Sequence, residues 1–239
     1  LMSIFINIST LVLFKYYNFF AWQINGFFTL AHLTYNIPLL NIVLPVGLSF
    51  HIFQTLSYTI EVYRGNFKAE RHAGIYALYV MFYPQLIAGP IERPQNLLPQ
   101  LHRLHTPDQQ MVISGLRLMV WGLFKKVVIA DRLAGAVDPV YGNVAGYDGL
   151  SLMAATYLFS FQIYCDFSGY TDIALGSARV MGIRLTQNFR NPYFAGSIRD
   201  FWQRWHISLS TWFRDYVYIP LGGKKKGHLA WSANIMSVF

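Results

Sequence analysis

Apolar residues run almost unbroken over several long segments of the chain, and polar residues gather between them. Met2–Phe20 is apolar except for Lys15 and predicts a helix able to cross a bilayer, for which about 20 apolar residues suffice. Pro38–Val62 predicts a second span, with Pro45 and Gly47 marking a kink or broken turn near its start. A third apolar segment, Ala73–Ala88, ends in the string GPIERP (Gly89–Pro94), through which a helix cannot run. Val112–Ile129 and Leu150–Cys165 predict two further helices, the second running directly into Asp166–Ile183. Turn residues predict a loop over Ala136–Gly149, and Glu61–Arg71 reads as a polar loop. Asn96–Gln110 contains Pro99 and Pro107 and too few apolar residues to cross about 30 Å of hydrocarbon. It predicts short amphipathic helices at the membrane interface. The alternation expected of strands is absent, which places the chain in the all-α class and argues against a β-barrel.

One segment has a different pattern. On a helical wheel, Trp202, Phe213, Leu209, Tyr216, Trp205, Trp212 and Phe201 fall on one continuous arc. Arg199, Gln203, Ser210, Arg214, Asp200, Thr211, Arg204 and Asp215 fall on the other side, and His206 lies at the border. The pattern predicts one amphipathic helix ended by Pro220 and Gly222-Gly223. Two readings fit it. The helix lies in the membrane interface with its rings among the headgroups, or it lines a polar cavity inside the protein, where charge marks function. Asp166 and Asp172, just past an apolar run, face the same choice between interfacial caps and cavity walls. If they face the interior, Arg199, Arg204 or Arg214 is the expected partner.

Composition narrows the class. The chain has 239 residues, of which 54% are hydrophobic and 13% charged, against about 25% charged in a soluble domain. Lipid must therefore cover much of its surface. The net charge of +8 falls in short clusters, Arg64–Arg71, Lys125-Lys126 and Lys224–Lys226, as in cytoplasmic loops of membrane proteins. No nucleic-acid-binding pattern accompanies it. Single Cys165 excludes an internal disulfide and reads as a small buried side chain. His102 and His105 have the spacing of a metal pair but no third ligand, so no metal is expected. His51 follows the Pro/Gly break and is a lesser candidate to face a cavity. No linker divides the chain, so 1–239 is expected to form a single domain. The apolar run Leu229–Phe239 is too short to span a bilayer, and the chain is expected to be a piece of a longer protein, cut at both ends.

The string QIYCDFSGYTDIALGSARVMGIRLTQNFRNPYFAGSIRDFWQRWHISLSTWFRDYVYIPLGG (Gln162–Gly223) resembles the membrane-bound O-acyltransferase superfamily. Within it the chain is similar to the bacterial branch of alginate O-acetylation and D-alanyl-lipoteichoic acid proteins. LPVGLSFHIFQTLSYTIEVYRG (Leu44–Gly65) and FYPQLIAGPIERP (Phe82–Pro94) carry the same resemblance. The resemblance implies a polytopic, multi-pass helical fold in the bacterial inner membrane, with kinked, re-entrant and amphipathic interfacial helices around a funnel. It implies transfer of an acyl group, here acetyl, from a thioester donor to hydroxyls of a cell-envelope polysaccharide or teichoic acid. The donor would be acetyl-CoA or acyl carrier protein, with no tightly bound cofactor, and a periplasmic partner would complete the transfer. The His of WHIS, His206, matches one of two family histidines. The second, taken as the main catalytic one, is expected in an apolar helix beyond Phe239. His206 is thus the expected catalytic residue here, as base, as orienter of the second His or as substrate contact. Asp166, Asp172, Arg204, Ser210, Arg214 and Tyr218 are expected to bind substrate or support the site. Two other classes remain. A transporter would show paired repeats with broken helices, and none is visible. A non-catalytic scaffold for a periplasmic partner would lack the downstream His.

Overall fold

A computed structural model describes residues 2–43, 45, 47–86, 89–106 and 108–223. Lys224–Lys226 and the run Leu229–Phe239 lie outside the described residues. Among the described residues every regular element is helical. The chain divides into two compact units, Leu1–Arg71 and His72–Phe239.

The first unit opens with α1 (Met2–Leu11), a π-helical turn at Val12–Tyr16 and α2 (Tyr17–Leu30). Together they form one apolar helix, Met2–Leu30, of 29 residues, roughly 43 Å at 1.5 Å per residue. It is ten residues longer than the pattern predicts, and among the described residues it is the one helix long and apolar enough to cross a bilayer. Phe5, Trp22 and Phe27 stand exposed along it, as lipid contact allows.

The segment after α2 corrects the expected span over Pro38–Val62. Only α3 (Leu48–Tyr63) is helical there, entered through Gly47 at φ 74. Residues up to Val43 are extended and lie against α2. Two asparagines hold them. Asn18 donates to Leu40 O (2.7 Å) and accepts from Leu40 N (2.9 Å); Asn25 does the same with Ile37 (2.9 and 2.7 Å). Extended backbone has no internal hydrogen bonds, so in an apolar setting its amides must find such partners. The spacings agree: seven helical residues rise about 10.5 Å, and three extended ones about 10 Å. α3 packs on α1, with Thr55 donating to Asn7 Oδ1 at 2.7 Å.

In the second unit α4 (Ala73–Val80) is capped by His72, whose Nδ1 accepts from Ile75 N. The helix stops at Val80, far short of the expected Ala88. A 3₁₀ turn at Tyr83–Gln85 follows, and Gly89–Glu92 then runs buried into α5 (Pro94–Leu101). At Gly89 an added Cβ would lie 2.4 Å from Gln85 Cα, so only glycine fits. Of the expected short helices in Asn96–Gln110, α5 alone forms before α6, and its Leu97 and Leu98 are buried in the protein.

The core of this unit is an antiparallel helix pair. One arm is α6 (Gln109–Leu123), a π-helical turn (Phe124–Ala130) and α7 (Asp131–Gly142); the other is α8 (Gly149–Val180). The expected loop over Ala136–Gly149 is mostly helix: α7 continues through Pro139 to Gly142, because burial of Val137 and Val140 outweighs local turn preference. The two arms touch through glycines. A Cβ on Gly115 would lie 2.6 Å from Gly176 O, and one on Gly122 2.6 Å from Gly169 O; in the reverse sense the distances are 2.5 and 2.8 Å. No other residue lets two helix backbones meet so closely.

Past α8 the chain reverses at Gly182 (φ 80), passes a 3₁₀ turn at Pro192–Phe194, and forms α9 (Ile198–Arg204), α10 (Ile207–Phe213) and a π-helical turn (Arg214–Tyr218). The single amphipathic helix read from the wheel is therefore two seven-residue helices.

The glycine contacts set a test. Gly122→Ala is expected to lower the thermal midpoint of the full-length protein in detergent, at a cost of roughly 1–3 kcal/mol. Gly135→Ala, in the same arm but with nothing within 4 Å of the new Cβ, is expected to hold or raise it, by up to about 1 kcal/mol. A midpoint for Gly122→Ala no lower than that of Gly135→Ala overturns the close-contact account.

Candidate active site around His206

The break between α9 and α10 is made by residues far away in the chain. Asn188 O accepts from Ile207 N at 3.0 Å, and Asn188 Oδ1 accepts from Ser208 N at 3.1 Å. Arg190 N donates to Arg204 O at 3.0 Å. These bonds replace the helical ones and leave His206 at φ 43, ψ 55, in the left-handed region. His, with Asn and Asp, is among the non-glycine residues found there most often. Ser208 Oγ in turn accepts from Ile91 N at 3.0 Å, so the buried GPIERP segment grips the same turn.

That segment is itself anchored. Glu92 is fully buried; its carboxyl group accepts from Thr186 N and from Asn96 Nδ2, and its backbone carbonyl accepts from Tyr79 OH at 3.0 Å. Gln100 clasps the backbone of Arg184 in both directions (2.8 and 2.9 Å). The strand of chain that presents Asn188 is thus fixed from Glu92 and α5. Burial raises the Glu92 carboxyl above the usual range, against the lowering effect of its two donors.

His206 stands edge-on against Phe167, with ring centroids 4.7 Å apart. Phe189 meets Phe167 at 5.0 Å and Trp205 at 5.1 Å, and Tyr164 lies 5.8 Å from Phe189. Burial among these rings pushes the imidazole down to about 4. The ring is therefore neutral at neutral pH, with one donor and one acceptor nitrogen. Neither nitrogen has a hydrogen-bond partner among the described residues.

The expected carboxylates sit behind this box, and their partners correct the sequence reading. Asp172 pairs with Lys125 at 2.7 Å, and Asp166 with Lys126 at 2.6 Å; no Arg takes part. The π-helical turn Phe124–Ala130 carries both lysines, and α8 carries both aspartates. Lys125 also donates to Ser168 Oγ at 2.9 Å and lies 5.9 Å from the Tyr164 ring centroid, which joins the Asp172 pair to the aromatic box. Lys126 shares its charge with Asp131 at 2.7 Å.

The remaining candidates divide. Ser210 is part of the turn: its Oγ donates to Trp205 O at 3.3 Å and its N donates to His206 O at 3.0 Å. Arg204 pairs with Asp200 at 2.7 Å one turn back in α9. Arg214 turns onto Asp215 at 2.7 Å, while Arg93 also reaches Asp215 at 2.9 Å. Tyr218 closes the π-helical turn. Neither Arg214 nor Tyr218 makes a hydrogen bond or ring contact with His206 among the described residues. His51 lies in the first turn of α3 with its ring against Phe50, and His105 Nε2 is 2.9 Å from Gln100 O.

The sequence reading missed Asn188, Ser208, Phe167 and Glu92. Glu92 alone carried a signal: an acidic residue enclosed by prolines at 90 and 94, just past an apolar run.

His206 is thus a neutral histidine held in the left-handed region at a helix break, ringed by aromatics and backed by a part-buried ion pair. Comparison with known proteins gives the class. The membrane-bound O-acyltransferase family matches residues 72–239, the whole second unit, and the chain belongs to that family. It is similar to a probable alginate O-acetylase of Pseudomonas putida, 42% identical over 228 residues, covering 95% of this chain and 46% of the relative. It is also similar to the peptidoglycan O-acetyltransferase of Helicobacter pylori, 34% identical over 265 residues (100% and 49%), and to the teichoic acid D-alanyltransferase of Bacillus subtilis, 28% identical over 192 residues (80% and 49%). The chain spans about half the length of the curated relatives it matches.

The raised Glu92 carboxyl predicts a pH effect. A carboxyl whose folded pKa exceeds its unfolded value stabilises most below the unfolded value, near 4.3 for Glu, and loses that contribution as pH rises through the folded one. Glu92→Gln keeps an acceptor for Thr186 N and removes the titration. Thermal midpoints measured from pH 4 to 8 are expected to decline more steeply with pH in the wild type than in Glu92→Gln. Parallel profiles would show that folding does not raise the Glu92 carboxyl.

Proposed function

We propose that this chain is part of a multi-pass inner-membrane O-acyltransferase that moves an acyl group, most simply acetyl, from a thioester donor toward hydroxyls of a cell-envelope polysaccharide. The observation that carries this is His206, held in a left-handed turn with a neutral, unpaired imidazole, in a family whose relatives are named for acetylating alginate or peptidoglycan or alanylating teichoic acid. Thioester attack by a sugar hydroxyl needs a group that orients or accepts the hydroxyl proton, a contribution of about 10²–10⁴-fold. A ring with a pKa near 4 is a weak base but a good neutral hydrogen-bonding partner. His206 therefore orients the acceptor hydroxyl or the second family histidine, with Asp172, Lys125 and Ser210 supporting the turn and its aromatic wall. Transfer to the polymer outside the membrane is completed by a periplasmic partner protein.

The test uses the full-length protein in its own cell envelope. His206→Ala is expected to reduce polymer-bound acyl ester by about 100-fold or more while the protein accumulates normally. His206→Gln keeps hydrogen bonding without basicity; ester recovered with Gln but not Ala assigns an orienting role. Normal abundance with full acylation in both variants would leave the turn a purely structural cap and remove His206 from the site.

A further inference from the structure

The first unit carries a single charged side chain in a long apolar stretch. Lys15 is the only Lys, Arg, Asp or Glu among residues 1–60. It stands at the middle of the apolar helix Met2–Leu30, 13 residues after Met2 and 15 before Leu30. The π-helical turn Val12–Tyr16 contains it.

One face of that helix is occupied within the unit. Asn7 bonds α3, Asn18 and Asn25 bond the extended segment, and Ala21 is buried. Lys15 is exposed, in company with Val12, Leu13, Tyr16, Phe19 and Phe20. The outward surface is thus apolar with one ammonium at its centre. The Tyr16 ring, its centroid 5.7 Å from Nζ, offers a cation–π contact, which softens the charge without neutralising it. None of the ion pairs among the described residues includes Lys15.

An ammonium facing hydrocarbon is costly, and ionisable groups at membrane depth face protein and pair. A lysine side chain reaches about 6 Å, against a hydrocarbon half-thickness of about 15 Å, so from mid-span it falls short of the lipid phosphates. A second copy of the same face brings another Lys15 and no acidic residue before Glu61, so like charges would meet. Residues 224–239 contain no Asp or Glu. In the second unit every described carboxylate except Asp138 already accepts from a lysine, an arginine or an amide. Asp138 lies near the end of α7, beside a polar turn and not within an apolar span. What complements this surface is an apolar helix of different sequence, with one carboxylate at matching depth.

We propose that the exposed face of Met2–Leu30 around Lys15 docks a transmembrane helix from outside this chain, whose Asp or Glu pairs with Lys15 at mid-membrane. The pairing rests on the membrane reading of the chain and is independent of the chemistry at His206.

Membranes holding the full-length protein are treated with dicyclohexylcarbodiimide, a lipid-soluble reagent that joins an amine and a carboxyl group in contact. Peptides containing Lys15 are then sequenced by mass spectrometry. An amide from Lys15 Nζ to an Asp or Glu outside residues 1–239 is expected. It disappears in Lys15→Arg, which keeps the charge and the pairing but forms no such amide. The Lys126–Asp166 pair, 2.6 Å apart, is the internal control; its amide without one at Lys15 overturns the proposal. Charge exchange tests the pairing itself. Lys15→Glu is expected to lower accumulation of the full-length protein several-fold, Lys15→Arg to leave it unchanged, and Lys placed at the cross-linked carboxylate to restore the Lys15→Glu protein. Normal accumulation of Lys15→Glu overturns the proposal, as does a cross-link to Asp138 or another carboxylate of this chain. So does ready modification of Lys15→Cys by a membrane-impermeant maleimide, which puts the side chain in the headgroup layer beside lipid phosphate. Every readout is of proximity, accessibility or abundance, so failure here leaves the His206 experiment to judge the acyltransferase reading independently.

Discussion

Asn188 uses both of its oxygen atoms on two successive amides, Ile207 N and Ser208 N. An apolar surrounding forbids a helix from ending unless its freed amides are met by other protein groups. Asn188 meets them, and the left-handed turn at His206 follows from that geometry. The same requirement recurs at three other places where the second unit departs from a helix. Ile91 N is met by Ser208, Thr186 N by Glu92, and the Arg184 backbone by Gln100. The site is thus assembled by polar side chains that each satisfy another segment's backbone. An uncompensated amide at any of these points would cost about 1–3 kcal/mol, so the bonds that shape the site also keep it closed.

The antiparallel helix pair gives this network a rigid wall. Glycines at two levels bring the backbones of α6 and α8 into contact, and the π-helical turn next to them widens the helix by one residue. Adjacent lysines then reach two different carboxylates on α8, one of them linked through Tyr164 to the aromatic box around His206. A part-buried ion pair is a poor source of net stability because desolvation offsets attraction. Its value here is placement: Asp172 and Lys125 fix the rotation of α8, and with it the face that carries Tyr164, Phe167 and Ser168.

Much of this was legible in the sequence. The all-helical class, the polar Gly/Pro break at Gly89–Pro94 and the amphipathic character of the segment holding His206 all follow from local pattern. The wheel placed His206 at the border between polar and aromatic faces, where the structure has the helix break. It could not show the break, because periodicity records which side chains lie alike and not which backbone amides a distant Asn will claim. Asp166 and Asp172 do pair with cations, but with lysines brought alongside by glycine contacts, which no local pattern encodes. The stretch before α3 failed for a related reason. Its residues are apolar enough for a helix, yet Asn18 and Asn25 offer its backbone a better set of partners in the extended form.

Those two asparagines also set how that region can change through descent. Each clamp fixes one helix position to one extended position, and the two together fix a ratio of lengths, seven residues against three. Side chains between the clamps can be exchanged without disturbing either one. A single residue gained or lost there cannot be absorbed, since it would move one clamp out of reach of its partner and turn the intervening side chains to the opposite face. The segment is consequently free in composition and fixed in length, the reverse of what is usual for chain that is neither helix nor sheet.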